Sequence, residues 1–538
     1  ALGVNEHASE LGDYTLAAQD RRAADAAKFL ARLNAIPSDS LNAASKVEAG
    51  ILRRALNSTI EGNGFGQRAI NFTTYSSWHQ QLAGMAQNLP FRTKADFESY
   101  NARLAQYARV NDENIAVANV AIKGKYTQPC VTLKGFEGTI SGLITTDVNT
   151  SRFYEPYAKK RPAGVSEADF ASLAKAAEAT IRTVIHPALN KQLAWYTASY
   201  KPACATAPGV SAQPGGAKYY AFRVREETTT SLTAEQIHQI GLNEVARIRA
   251  EMVEVATKAG YPSREAFIQH LRTDPQYYAK TPEELMEKVA RVTKIIDGKM
   301  PSLFGRLPRL PYGIKEIPAE TAEGTTTAYY NQGSPEIGIS GTYFVNTSKL
   351  NQRPFWEIPA LSVHEAVPGH HNQIALQQEL PLSDFRKYGA FFTAFTEGWG
   401  LYSERLGIEM GLYDTPAKDM GRLSYEMWRA CRLVVDTGIH AKGWSKQQAI
   451  DFMTDNSALS AANIEAEVNR YISWPGQALA YKLGELKIRE LRTMATKELG
   501  PKFNLAAFHD AVLGQGSVPL DVLEQQITDW VAAEKAKG

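Results

Sequence analysis

The segment LSVHEAVPGHHNQ, residues 361–373, sets His364, Glu365, His370 and His371 within eight positions. Imidazole nitrogens and a carboxylate are the donors from which open zinc sites are built. In the H-E-x-x-H spacing the histidines differ by about 400° around a helix, so both reach one metal while the glutamate faces the water. Here His370 stands six residues after His364, a turn of about 600°, and a regular helix would aim it at the wrong side. His371, seven residues on, would share the face but lie about 10 Å up the axis. Pro368 and Gly369 stand in the gap. The proline removes a backbone donor and clashes with the preceding turn, and the glycine takes dihedrals closed to other residues. Together they permit a bulge that absorbs two residues and returns His370 to the place of the second ligand. His371 is the alternative.

A catalytic zinc needs a third protein ligand and an open position. Glu397, in FFTAFTEGWGLYSE, is a carboxylate in an aromatic, apolar neighbourhood. Glu404 follows seven residues later on nearly the same helix face, suited to hold a histidine N–H from behind. For each, the plainer alternative is a solvated helix-surface acid. The expected centre is Zn2+ on His364, His370 and Glu397, with Glu365 as the general base. Candidates to steady a developing oxyanion are Tyr481 first, His440 second, and Tyr471. A tyrosine in an apolar helix is more often a core residue with a bonded hydroxyl. Lys482, Arg429 and Arg432 carry charges that a surface helix would show anyway, and no role is assigned to them.

The elements that must position these groups are mostly helical. TPEELMEKVARVTKIIDG starts with Thr281, Pro282 and Glu284 in capping order, carries the stripe Leu285, Val289, Val292, Ile296, and stops at Gly298. The same S/T-x-x-Q box recurs at Thr233–Gln236 and Ser445–Gln448. Residues 14–110 and 166–200 are Ala/Leu/Arg-rich and predict helices. Strand patterns are few: 217–224 (AKYYAFRV), 327–332 (TAYYNQ) and 336–347 (EIGISGTYFVNT). The last lies just before the histidine motif, and residues 336–346 are a candidate edge for pairing with an extended peptide. The Pro-rich stretch 300–318 marks the best internal boundary. It separates a helical portion 1–300 from a portion 301–538 that holds the small sheet and the zinc-site helices, as one continuous two-lobed unit.

With 44% apolar and 22% charged residues and a net charge of +2, the chain reads as a soluble globular protein. No Lys/Arg-rich block suggests a nucleic-acid or membrane-surface partner, and no apolar run is long enough to span a bilayer. The opening ALGVNEHASE is not a signal peptide and is compatible with a mature terminus left by cleavage. Cys130 and Cys204 sit in Pro-rich loops and Cys431 in a helix. A Cys130–Cys204 disulfide in an exported protein is one reading, three separate thiols in a cytosolic enzyme the other. Cys431 fits a small buried hydrophobe.

Four motifs occur in order: HEAVPGHH (364–371), EGWGLYSE (397–404), DTGIHAKGW (436–444) and PGQALAYKLG (475–484). In these the chain resembles the bacterial family known as domain of unknown function 885, through most of its length and least in the first hundred residues. Members of that family are commonly described as exported proteins or lipoproteins; this chain has no lipobox cysteine at its start. The family is in turn similar to the helical gluzincins, such as angiotensin-converting enzyme and thimet oligopeptidase. The resemblance implies a mainly α, zincin-like body with a deep cleft and a small mixed sheet beside the active-site helix. It implies a periplasmic zinc metallopeptidase acting on short peptides. A zinc amidohydrolase acting on a non-peptide amide, and a non-catalytic zinc-stabilised binding protein, are the rivals. Oligomeric state is not legible.

Overall fold

The computed structural model describes residues 6–73, 76–323 and 325–537. The first five residues of the opening segment lie outside them. The chain divides into two compact units, Ala1–Ser40 with Arg53–Tyr219, and Leu41–Leu52 with Tyr220–Gly538. The Pro-rich stretch near 300 lies inside the second unit. Among the described residues no helix is long and apolar enough to cross a membrane.

The first unit is built from helices around an aromatic core. Thr93 and Asp96 cap the helix Lys94–Ala105 reciprocally, and its Phe97, Tyr100 and Leu104 turn inward. They meet Phe72, Trp78, Tyr107, Phe136, Phe153, Tyr196 and Tyr200 in one cluster. Cys130 and Cys204 form a disulfide with Cα atoms 5.1 Å apart. The two loops also exchange backbone bonds, Cys130 N–H to Ala205 O at 2.8 Å and Ala205 N–H to Gln128 O at 3.0 Å. The bridge closes a separation of 74 residues, worth roughly 4 kcal/mol of loop-closure entropy in the unfolded chain. Replacing both cysteines by serine is therefore expected to cost roughly 2–4 kcal/mol in urea unfolding; an unchanged midpoint would mean that the aromatic core holds this unit without it.

In the second unit the expected caps are present. Thr233 and Gln236 box the start of α1 (Ala234–Lys258). Thr281 caps α2 (Pro282–Asp297), whose Leu285, Val289 and Ile296 are buried. A three-stranded sheet follows, with β1 (Tyr312–Glu316), β2 (Ala328–Asn331) and β3 (Gly341–Val345) in the order β1-β3-β2. β1 runs parallel to β3 and β2 antiparallel, so the sheet is mixed. Two strand expectations need correction. Residues 217–224 are helical, within Gly216–Thr228. Tyr220, Phe222 and Val224 are all buried, so the alternation is one of burial on a helix and not of strand pairing. Within 336–346 only Gly341–Val345 is strand, and it is the central one, already paired on both sides. It has no free edge for a peptide; the edges are β1 and β2.

The sheet leads into α3 (Ile358–Glu365), α4 (His370–Glu379) and α5 (Thr393–Leu406). Beyond them lie α6 (Pro416–Lys442), α7 (Lys446–Asn456), α8 (Ala461–Ser473) and α9 (Ala480–Leu499). From Met420 to His440 every residue of α6 is buried. A helix wrapped on all sides must pair every charge it carries. Its arginines and glutamate find partners, Arg432 with Glu467 of α8 at 2.8 Å and Glu426 with Lys482 of α9 at 2.9 Å, while Asp436 is met by hydrogen-bond donors. Cys431 is buried in the same helix, as expected.

Candidate metal centre

Every residue of α3 is buried, and it ends on the two residues that matter, His364 and Glu365. The backbone then leaves the helix at Ala366 and re-enters it at His370, with a cis bond between Val367 and Pro368. The break is well bonded. Gly369 N–H donates to Val363 O at 2.9 Å, His371 N–H to Ala366 O at 3.0 Å, and the Trp399 indole N–H to Pro368 O at 2.7 Å. A Cβ at position 369 would fall onto the carbonyl oxygens of His364 and Val363, so glycine is needed there. α5 approaches just as closely. A Cβ on Gly398 would lie 2.5 Å from Gly484 Cα in α9, so these two glycines let two helix backbones touch beside the histidines.

The kink turns His370 onto the His364 side. The two rings stand nearly perpendicular, with centroids 4.7 Å apart. Both Nε2 atoms face Glu397 Oε2, at 3.6 Å from His364 and 3.3 Å from His370. The three donors lie within 4.8 Å of one another. Close as they are, they do not align as hydrogen bonds: Glu397 Oε2 is buried and has no hydrogen-bond partner. Two imidazole nitrogens and a carboxylate oxygen converging without bonding each other suit a divalent cation between them. The Glu397 side chain keeps 19% exposure against 3% for His364, so the cluster is open on the carboxylate's side.

The charge balance points the same way. His364 Nδ1–H donates to Glu404 Oε1 at 2.8 Å, leaving Nε2 free for a metal. Glu404 is buried and is held in turn by Arg429 at 3.0 Å, whose guanidinium lies over the Trp428 ring at 4.3 Å. Burial disfavours a charged His364, yet the carboxylates of Glu397 and Glu404 outweigh it and raise its pKa to about 9. Burial also raises the Glu365 carboxyl, with His364 and His370 pulling it back and Glu397 pushing it further up. Three glutamates thus converge on two imidazoles, and positive charge is in demand. Glu404→Gln keeps the shape and removes one charge; metal affinity is expected to fall about 10–100-fold in competition with a chromogenic chelator, and an unchanged affinity would reduce Glu404 to a packing residue.

His371 is placed elsewhere. Its Nε2–H donates to Leu310 O at 2.9 Å, and its Nδ1 accepts the Tyr330 hydroxyl at 3.0 Å. Burial lowers its pKa to about 4, so it is a neutral anchor tying α4 to the sheet region. Tyr481 does reach the cluster, its ring stacked on His364 at 6.4 Å. Its hydroxyl accepts from Arg470 at 2.9 Å, and the Arg432 guanidinium lies 4.2 Å over its ring.

His440 does not reach it. It is fully buried in α6, stacks against Tyr220, and its Nε2–H donates to Tyr471 O at 2.9 Å. The Tyr471 hydroxyl accepts from Trp428 and from Arg432. Both read from sequence as oxyanion donors, and both are core residues; burial around the whole of α6 was not legible in its pattern. Lys482, with no exposure, is held by Glu244, Glu426 and Glu485, and Arg432 by Glu467.

Two residues went unnoticed in the sequence. Tyr330 of β2 lies beside both histidines, 6.5 Å from the His370 ring, and only the sheet pairing brings it there. Asp436 of α6 accepts the Tyr220 hydroxyl at 2.6 Å and the Gly476 N–H at 3.2 Å. It fixes the turn that leads to Tyr481, and its place at the head of the DTGIHAKGW motif was the available signal.

The family model described as "Bacterial protein of unknown function (DUF885)" matches residues 1–527. No curated protein matches the chain. Among solved structures, a "putative lipoprotein" from Colwellia psychrerythraea aligns with a TM-score of 0.91 and 29% identity, over 98% of this chain and 93% of the other. A "putative lipoprotein of unknown function" from Shewanella oneidensis aligns with a TM-score of 0.73 and 19% identity, over 98% of this chain and 95% of the other. The first resemblance and the disulfide are both consistent with an exported protein.

Proposed function

The chain belongs to that bacterial family of unknown function, and we propose that it is a zinc-dependent hydrolase of peptide bonds in short peptides, built on a zincin-like helical body and working in the periplasm. The observation that carries the reading is the convergence of His364, His370 and Glu397 with Glu365 next in the chain to the first of them. His364, His370 and Glu397 would hold the metal. When bound, a zinc ion polarises a carbonyl and acidifies a water. Glu365 takes the proton from the attacking water and hands it to the leaving amine. A buried carboxyl whose pKa is raised is a better base for this step than an ordinary surface glutamate. Tyr481, stacked on His364, is the favoured donor to the oxygen that gains charge.

A non-catalytic zinc-stabilised protein accounts less well for the same residues. Structural zinc usually has four protein ligands and needs no base, whereas here the cluster offers three donors and an adjacent glutamate. A hydrolase of non-peptide amides would use the same residues. The test is a panel of dipeptides, tripeptides and longer peptides beside simple amides, each with and without chelator. Peptide cleavage abolished by chelation and restored by zinc is expected. Zinc bound at one equivalent with no turnover of any amide would overturn the proposal in favour of a scaffold.

A further inference from the structure

On another side of α4 lies a cavity of about 600 Å³, lined by α2, by residues 307–314, and by Val367, His371 and Asn372. None of His364, Glu365, His370 or Glu397 lines it. Its size falls in the range of small-molecule sites. Most polar groups on its wall are already committed. The Tyr312 hydroxyl donates to Asp297 at 2.9 Å, the Thr293 hydroxyl to Ala290 O at 2.9 Å, and both ring nitrogens of His371 are bonded. Asn372 is different. It has 0% exposure, and neither its amide oxygen nor its amide nitrogen has a hydrogen-bond partner among the described residues. A buried amide with both ends unmet is unusual in a folded protein and calls for a partner.

We propose that this cavity binds an uncharged small molecule carrying a planar amide on an apolar body, with the Asn372 side chain pairing to that amide. The chemistry follows from what is left open. A primary amide presents a donor and an acceptor in one plane, and another amide matches both at once. The remaining wall includes Met300, Leu307, Pro308, Pro311, Ile314 and Val367, which favours an apolar body. The charged groups on the wall are already paired, Lys294 with Asp297 at 3.5 Å and Arg309 with Glu379 at 3.1 Å, which favours an uncharged ligand. Asn372 lines the cavity, and turning its amide toward it breaks no hydrogen bond, because it makes none among the described residues. The amide could be that of a peptide or a primary carboxamide. The inference is independent of the hydrolase proposal, although α4 carries both Asn372 and the ligand His370.

The test is saturable binding to the full chain, followed by calorimetry, of N-acetyl-leucinamide as the peptide-like probe and isovaleramide as the primary carboxamide, each with and without EDTA. At least one probe is expected to bind, to bind equally well in EDTA, and to bind at least tenfold more weakly to both Asn372→Leu and Ala290→Trp. Ala290 is exposed at the cavity wall, so tryptophan there narrows the space without disturbing the core. The probe that binds identifies the source of the amide. No saturation with either probe, affinity unchanged in the two variants, or binding abolished by EDTA would each overturn the proposal. Activity is not read, so failure of the hydrolase proposal would leave this result standing.

Discussion

Glu365→Gln is expected to keep the metal and lose turnover by about 10²–10⁴-fold, the usual worth of a positioned general base. The side chain is buried at the end of α3, and the amide is nearly isosteric, so the fold should tolerate the change. Removing a buried carboxylate whose ionisation burial disfavours leaves no uncompensated charge. Metal content and peptide turnover, measured on one preparation, separate the effects. Full metal with turnover lost supports the assigned role. Full metal with turnover retained would remove Glu365 as the base, and loss of metal would make it a ligand or a structural neighbour of one.

The second large effect is expected at Gly369, a residue that does no chemistry. A methyl group there would overlap the carbonyls of His364 and Val363, and both obstacles are backbone. Neither can swing aside as a side chain would. Gly369→Ala must either strain the break or open it. Opening it loses the Gly369 N–H bond to Val363 O and shifts the start of α4, where His370 stands. The cost is expected to be roughly 3 kcal/mol or more, in the class of steric insertions into a packed core, together with loss of bound metal. Thermal unfolding with and without zinc reads both. A variant with the parent melting temperature and one equivalent of metal would show that the break is not needed to bring His364 and His370 together.

What could be read in advance was local. Caps at Thr233, Thr281 and Ser445 announced helices because each motif is complete within four residues. The return of His370 to the His364 side followed from Pro368 and Gly369 alone. Cys130 and Cys204 were singled out by their loop settings, and the bridge forms. What escaped was decided by partners distant in the chain. β1 lay in the Pro-rich stretch that read as an internal boundary, because its pairing with β3 is invisible locally. The central position of β3 depends on two other strands. His440 was a candidate oxyanion donor because nothing in α6 announces burial on every side, and Tyr471 of α8 is buried against that same helix. Its arginines and acids give it a surface pattern, and partners on other helices, among them Glu467, Lys482, Glu404 and Arg247, make that pattern tolerable inside.

The central claim is a divalent ion held by His364, His370 and Glu397. Anomalous diffraction at the zinc edge, from crystals grown with zinc, tests it most directly. The account predicts one strong peak between the Nε2 atoms of His364 and His370 and the Glu397 carboxylate, with His371 still bonded to Leu310 and Tyr330. No peak there, or a peak on His371 instead, would contradict it.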